Sequence, residues 1–176
     1  MTEFVPTWTQ PSHPDSILVV KGAPYKSRAH SLVALPAGAL FAKITSAIPV
    51  ACKTYTSVQT GKRSNIELNS DLVYCNHSCS PTLEFDMAKC EVRVAAKRPL
   101  FVGDELTFFY PSTEWFMVQP FRCECGSENC LGVISGSRNI DAVVLRKYWL
   151  NVHVKELLVE EEREASGEGS RVEIEV

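Results

Sequence analysis

Long hydrophobic runs are lacking in this sequence, which argues against a membrane-spanning protein. The longest nearly apolar stretch, residues 32–42, is too short to cross a bilayer and contains Pro36 and Gly38. The opening MTEFVPTWTQPSHPD has neither the basic start nor the apolar core of a secretory signal. We therefore expect an intracellular protein, nuclear or cytoplasmic, with no membrane partner.

An excess of positive charge is also lacking. Eighteen Lys and Arg face 21 Asp and Glu, for a formal net charge of −3, so we expect no direct binding to nucleic acid. The seven cysteines are an odd number, and a reducing compartment disfavours a disulfide framework. A metal site together with a few buried thiols explains this count better.

Short β-strands separated by polar, Gly or Pro links dominate the pattern and predict a mainly β fold with a C-terminal helix. We expect a loose segment over 1–16, the main domain over 17–120, a cysteine loop over 121–134, a helix over 137–162 and an acidic tail over 163–176. The strands are predicted at 17–21, 31–35, 39–44, 52–60, 66–68, 83–87, 91–96 and 106–109.

Two cysteine-containing segments predict a zinc site. FRCECGSENCLG, residues 121–132, places Cys123, Cys125 and Cys130 on a tight loop, where three thiolates can occupy three corners of a tetrahedron. YCNHSCSP, residues 74–81, offers either Cys75 or Cys79 as the fourth ligand. A redox role is weaker, because C-x-C lacks the C-x-x-C spacing.

Between these segments stands GDELTFFYPSTEW, residues 103–115, a turn followed by a strand rich in aromatic residues. Taken alone, Phe108, Phe109 and Tyr110 are typical of a hydrophobic core. Phe108 and Tyr110 alternate along the strand and would share one of its faces.

The order of the three motifs, NHSCSP, GDELTFFY and C-x-C-x4-C, closely resembles a SET domain followed by its post-SET zinc loop. LPAGALFAKI, residues 35–44, resembles the early I-P-x-G turn of that family. The resemblance covers roughly residues 17–134. The whole chain is also similar to small stand-alone SET proteins of fungi.

This resemblance implies a β-fold with a pseudoknot and S-adenosylmethionine-dependent methylation of protein lysine side chains. Asn76 and His77 match the pair whose backbone contacts the cofactor. Tyr110 matches the catalytic tyrosine, and Cys79 matches the cysteine that completes a structural four-cysteine zinc site with Cys123, Cys125 and Cys130.

Three aromatic residues are candidates for the substrate channel. Phe108 matches the position that tunes how many methyl groups are added, although a core role is equally possible. Trp115 is either a channel residue or a buried anchor. Tyr55 is a candidate second active-site tyrosine only because it falls in the strand predicted over 52–60.

The sequence departs from the family in two places that bear on function. Lys26-Ser27-Arg28 stands where the family has a G-x-G stretch that wraps the cofactor, and the segment between Tyr55 and Asp71 is very short. Two hypotheses follow. One is a methyltransferase acting on a protein or peptide lysine, possibly of a histone. The other is a repurposed SET fold, either a non-catalytic binding module or an enzyme acting on a small molecule in secondary metabolism.

Overall fold

The computed structural model describes residues 5–23 and 25–166, and short strands dominate them. The helices are α1 Ala142–Leu145 and α2 Val152–Ala165, and single turns of 3₁₀-helix span Asp71–Tyr74, Tyr110–Ser112 and Ser137–Asn139. The strands are β1 Ile17–Val20, β2 Arg28–Ser31, β3 Leu40–Lys43, β4 Ile48–Val50, β5 Val58–Gln59, β6 Asn65–Glu67, β7 Asn76–His77, β8 Leu83–Asp86, β9 Glu91–Val94, β10 Thr107–Phe108, β11 Phe121–Arg122 and β12 Val133–Ile134. The mainly β fold with a C-terminal helix is therefore confirmed.

A five-stranded sheet in the order β3-β9-β8-β10-β7 organises the molecule. Strands β3, β9 and β8 pair antiparallel, whereas β10 lies between β7 and β8 and runs parallel to both. Phe108 thus faces both His77 and Leu83, which only a five-residue connection, 78–82, separates along the chain. Strand β10 therefore lies between β7 and β8, the two strands that the earlier loop 78–82 connects. This threading of a later strand through an earlier loop is what the predicted pseudoknot requires.

Alternating side chains explain why the centre of this sheet is stable. In β8 and β9 every second residue is buried, and these apolar side chains face the main core, namely Leu83, Phe85, Val92 and Val94. The remaining strands form a three-stranded sheet in the order β4-β6-β5 and two antiparallel pairs, β1-β2 and β11-β12. None of the helices within the described residues has the length and apolar character that a membrane span needs.

The helix predicted over 137–162 is divided into two helices, and α2 extends to Ala165. The division falls at Asn151, which is buried and holds an extended backbone. Its side-chain amide donates to the carbonyls of Phe85 and Ser112 and accepts from the amide of Met87. These bonds fix the chain to the sheet and explain the interruption. Of the predicted acidic tail, residues 167–176 lie outside the described residues.

The N-terminal segment expected to be loose is instead attached to the domain over residues 5–16. The buried carboxylate of Asp71 accepts hydrogen bonds from Trp8 Nε1 at 2.9 Å, Gln10 Nε2 at 2.7 Å and the amide of Ser12 at 2.6 Å. Such charge-assisted bonds are strong, and one buried acid therefore orders a polar segment that has no periodicity of its own.

Two predicted strands are displaced because hydroxyl side chains bind nearby backbone. In place of a strand over 52–60, only Val58–Gln59 is extended in a ladder, since Ser57 Oγ accepts from Thr54 N and donates to Thr54 O. The strand predicted over 31–35 lies at 28–31, and Ser31 Oγ donates to the carbonyl of Val33 where the strand ends.

Candidate active site and metal centre

Four cysteines meet at one point and form a candidate metal centre. Cys79 follows β7, and Cys123, Cys125 and Cys130 lie between the start of β11 and the start of β12. The four sulfur atoms all lie within 4.8 Å of one another. A zinc–sulfur distance of about 2.3 Å requires sulfur–sulfur edges of about 3.8 Å, so the cluster fits a tetrahedral site with four thiolate ligands.

Protonation of these thiols depends on their surroundings. Burial raises the pKa of Cys79 to about 11. Burial alone would also raise the pKa of Cys125, but hydrogen bonds, including a contact with Ser127 Oγ at 3.0 Å, lower it to about 6. One ligand is therefore ready as a thiolate, the form that binds metal.

Cys75, the alternative fourth ligand, is not part of the cluster. It is 1% exposed in the main core, and burial raises the pKa of its thiol far above the ordinary value. This side chain behaves as a small apolar core residue.

Tyr110 lies two residues after the end of β10, at the first position of a 3₁₀-helix. Its hydroxyl donates to the carbonyl of Cys75 at 3.2 Å, and its ring contacts Phe108 at a centroid distance of 4.7 Å. Burial is the main cause that raises the pKa of Tyr110 above its usual range, and the charges of Cys75, Glu114 and Glu105 add to it. The phenol therefore stays protonated at neutral pH.

His77 connects Tyr110 to the cysteine cluster. Its Nδ1 accepts from the amide of Tyr110 at 3.2 Å, so Nε2 carries the proton that points at Cys79 Sγ, 3.3 Å away. Burial lowers the pKa of His77 to about 4, which keeps the ring neutral.

The side chain of Asn76 stabilises the threaded region around β7. Its side-chain amide donates to the carbonyl of Ser27 at 3.1 Å and to the carboxylate of Glu105 at 3.2 Å. Three segments distant in sequence are thereby tied together beside β7.

A cavity of about 1130 Å³ brings most of the predicted site residues together. Seven of them line it, namely Tyr55, Asn76, His77, Phe108, Tyr110, Cys123 and Cys125. Tyr55 is half exposed and meets Tyr25 edge-to-face at 5.5 Å, whereas Phe108 is buried and stacks on Phe85 at 4.2 Å. Phe108 thus serves the core and the cavity at once.

Trp115 is not among the residues that line this cavity. It packs in a second cluster with Phe109, Leu145 and Val154, between the end of the β-domain and the C-terminal helices. The 3₁₀-turn at Tyr110–Ser112 redirects the chain, which carries Trp115 to that cluster. Trp115 is partly buried in this cluster.

Lys26-Ser27-Arg28 forms part of the cavity wall. Gly22 lies against the main chain of Lys26 so closely that a Cβ there would come within 2.6 Å of the Lys26 carbonyl oxygen. The Lys26 side chain is 64% exposed and pairs with Glu124 at 3.7 Å. It is therefore largely exposed to solvent.

Sequence analysis missed a buried ion pair in the same cavity wall. Lys53 Nζ lies 2.6 Å from Glu114 Oε2, and the two side chains are 10% and 9% exposed. The residues are 61 positions apart. No local pattern connects them, so no sequence signal pointed to the pair.

Comparison with known proteins gives a consistent result. The SET domain family model matches residues 12–111. Methyltransferase flvH of Aspergillus flavus is 72% identical over 159 residues, which cover 90% of this chain and 89% of that protein. A histone-lysine N-methyltransferase of Saccharomyces cerevisiae, named as specific for lysine 36 of histone H3, is 29% identical over 96 residues, 52% of this chain but only 13% of its own length.

Proposed function

Because this chain belongs to the SET domain family, we propose that it is an S-adenosylmethionine-dependent methyltransferase that acts on the lysine side chain of a protein. The observation that carries the proposal is the position of Tyr110, which lines one cavity with Asn76 and His77 close to the threaded strand β10. Histone H3 is a reasonable first acceptor, because the yeast relative is named for that substrate.

The reaction places simple demands on the site. The methyl group leaves a sulfonium sulfur and bonds to the lone pair of the acceptor nitrogen, so the amine must arrive without its extra proton. A neutral amine and an electrophilic methyl group need alignment and exclusion of water more than they need a strong base.

Tyr110 fits the task of alignment. Its hydroxyl proton is directed at the carbonyl of Cys75, which leaves the oxygen lone pairs free to accept a hydrogen bond from an amine N–H in the cavity. Since the phenol stays protonated, it orients the amine without adding a negative charge. Phe108 behind it limits the width of the site on the side of the core.

The cysteine cluster would hold zinc as a structural ion. It would fix the loop between β11 and β12, which supplies Cys123, Glu124 and Cys125 to the cavity wall. Structural zinc contributes folding free energy directly, so metal binding and the shape of the cavity are coupled in this proposal.

The test is calorimetric titration of the zinc-replete protein with S-adenosylmethionine and with S-adenosylhomocysteine, followed by transfer of a radiolabelled methyl group to recombinant histones. Tyr110→Phe should keep cofactor binding and lower transfer by more than about tenfold, because the amine loses its orienting oxygen. Unchanged turnover would refute the role of Tyr110. No binding of either ligand would favour a non-catalytic binding module.

A second candidate is methylation of a small-molecule amine. It is favoured by the short links that flank β5: residues 51–57 join β4 to β5 and residues 60–64 join β5 to β6, in the segment that is very short for the family. Labelled transfer to small primary amines but not to histones or lysine-containing peptides would select this candidate. The reverse result would exclude it.

A further inference from the structure

The ammonium group of Lys53 is bound in the cavity wall by a complete set of hydrogen-bond acceptors. It donates to Glu114 Oε2 at 2.6 Å, to the carbonyl of Phe116 at 2.8 Å and to Gln59 Oε1 at 3.1 Å, and it lies 4.8 Å from the centroid of the Phe116 ring. Three acceptors satisfy the three protons of an ammonium group. The site is therefore specific in geometry as well as in charge.

Glu114 is held equally firmly. Its second oxygen, Oε1, accepts from the amide of Gln59 at 2.7 Å and from Thr113 Oγ1 at 3.2 Å, and its own amide donates to the carbonyl of Tyr110 at 3.0 Å. The carboxylate cannot move far from Tyr110, which lies one turn before it in the chain.

The pair joins two segments of the cavity wall that are distant in sequence. Lys53 and Tyr55 belong to the linker 51–57, and Glu114 belongs to the segment that follows Tyr110. Replacing buried pairs by apolar residues is often neutral or stabilising, so stability alone does not explain why a charged pair stands here.

Charge gives a better explanation. Glu105 and Glu114 line the cavity together with Tyr110, and both carboxylates add to the rise in the pKa of its phenol that burial causes. Two carboxylates therefore act on the point where an amine would bind. A carboxylate near an amine stabilises its protonated form, which has no lone pair available for methylation.

We propose that Lys53 cancels the charge of Glu114 and thereby sets the electrostatic potential at the methyl-transfer centre, so that an acceptor amine binds there in its neutral form. Lys53 and Glu114 are positioning residues in this inference, since they act through the potential and through the linker 51–57. The inference rests on the proposed function, because it presumes a sulfonium and an amine meeting beside Tyr110.

The test uses two ligands that differ by one charge at the reacting atom. S-adenosylmethionine carries a positive sulfonium, whereas S-adenosylhomocysteine has a neutral sulfur and is otherwise nearly the same. The ratio of their dissociation constants reports the potential at the transfer centre, because damage to the cavity weakens both ligands together. It requires no knowledge of the acceptor.

Three variants remove the two charges of the pair, first one at a time and then together. Lys53→Met leaves the carboxylate uncompensated and should increase the preference for S-adenosylmethionine by roughly fivefold. Glu114→Gln leaves the ammonium and should decrease that preference, and the double variant should return it to the wild-type ratio. Lys89→Met, which removes an exposed lysine that pairs with Asp86 away from the cavity lining, is the matched control and should change nothing.

The outcomes separate the two proposals. If the wild-type protein binds both ligands and the ratio is the same in all variants, the pair has no electrostatic role and this inference is wrong. A double variant that is folded by thermal unfolding but has lost both ligands would also overturn it. If the wild-type protein binds neither ligand, the proposed function fails first and the inference fails with it. Should Lys53→Met not fold, the test still stands, because Glu114→Gln should lower the preference for S-adenosylmethionine and the double variant should restore the wild-type ratio.

Discussion

Replacing Asn151 with Ala tests whether one buried amide fixes the C-terminal helices to the sheet. The side chain forms three hydrogen bonds, with Phe85 O at 2.9 Å, Met87 N at 2.9 Å and Ser112 O at 3.0 Å. All three connect the start of α2 to β8, to the residue after it or to the turn that carries Tyr110. The substitution removes these bonds without touching the cavity, since Asn151 is not among the residues that line it.

The expected loss follows from the number of bonds. A hydrogen bond contributes about 1 kcal/mol net, and a buried donor left without a partner costs more, so Asn151→Ala should lower the free energy of unfolding by about 3 kcal/mol. In a domain of this size each 1 kcal/mol shifts Tm by about 2–4 °C. We therefore expect Tm to fall by about 6–12 °C.

Differential scanning calorimetry of the zinc-replete protein measures this loss. Asn139→Ala is the control, because Asn139 makes one exposed side-chain bond, to Ser135 Oγ, and its Tm should stay within about 2 °C of the wild type. An Asn151→Ala variant as stable as this control would show that apolar packing of α2, and not the amide, holds the helix in place.

Two further predictions concern the metal centre and the effect of pH. Cys125→Ser should reduce bound zinc from one ion per chain to below half and lower Tm, as measured by elemental analysis and thermal unfolding, because a structural site needs all four ligands. Cys52→Ser, at an exposed cysteine outside the cluster, is the control, and full zinc content in Cys125→Ser would refute the assignment. Burial lowers the pKa of His153, so the unfolded chain takes up a proton first and stability falls as pH drops below about 6.5. His153→Gln should flatten that fall in urea titrations between about pH 7 and pH 5, and an unchanged slope would contradict it.

Local sequence was sufficient for the parts of the molecule that depend on neighbouring residues. The alternation in 83–87 and 91–96 predicted β8 and β9, because a half-buried strand buries every second side chain. The spacing of Cys123, Cys125 and Cys130 predicted a compact loop with converging sulfur atoms, and the four-thiol cluster bears this out. The family itself could be recognised because its motifs keep their order along the chain.

The strands and segments that depend on distant partners were predicted less well. Residues 5–16 contain no hydrophobic period, and three of them, Trp8, Gln10 and Ser12, are bound by Asp71, about sixty positions away. Strands β7, β11 and β12 have two residues each and are too short to show any pattern in sequence. They form because a neighbouring strand provides the backbone hydrogen-bond partners. Polar side chains at Ser57 and Asn151 ended elements that hydrophobic patterning alone would have extended.

The sequence by itself determined the chemistry available to this protein: four thiols for a metal, an aromatic strand ending in Tyr110, and an Asn-His pair. Residue type and short-range spacing carry that information, since they set which atoms can ligate, donate or accept. Tertiary structure decided which of these groups share a cavity, moved Trp115 away from it, and placed Lys53 against Glu114. Contacts across 61 residues follow from the threading of β10 and the closure of the sheet, and no local pattern encodes them.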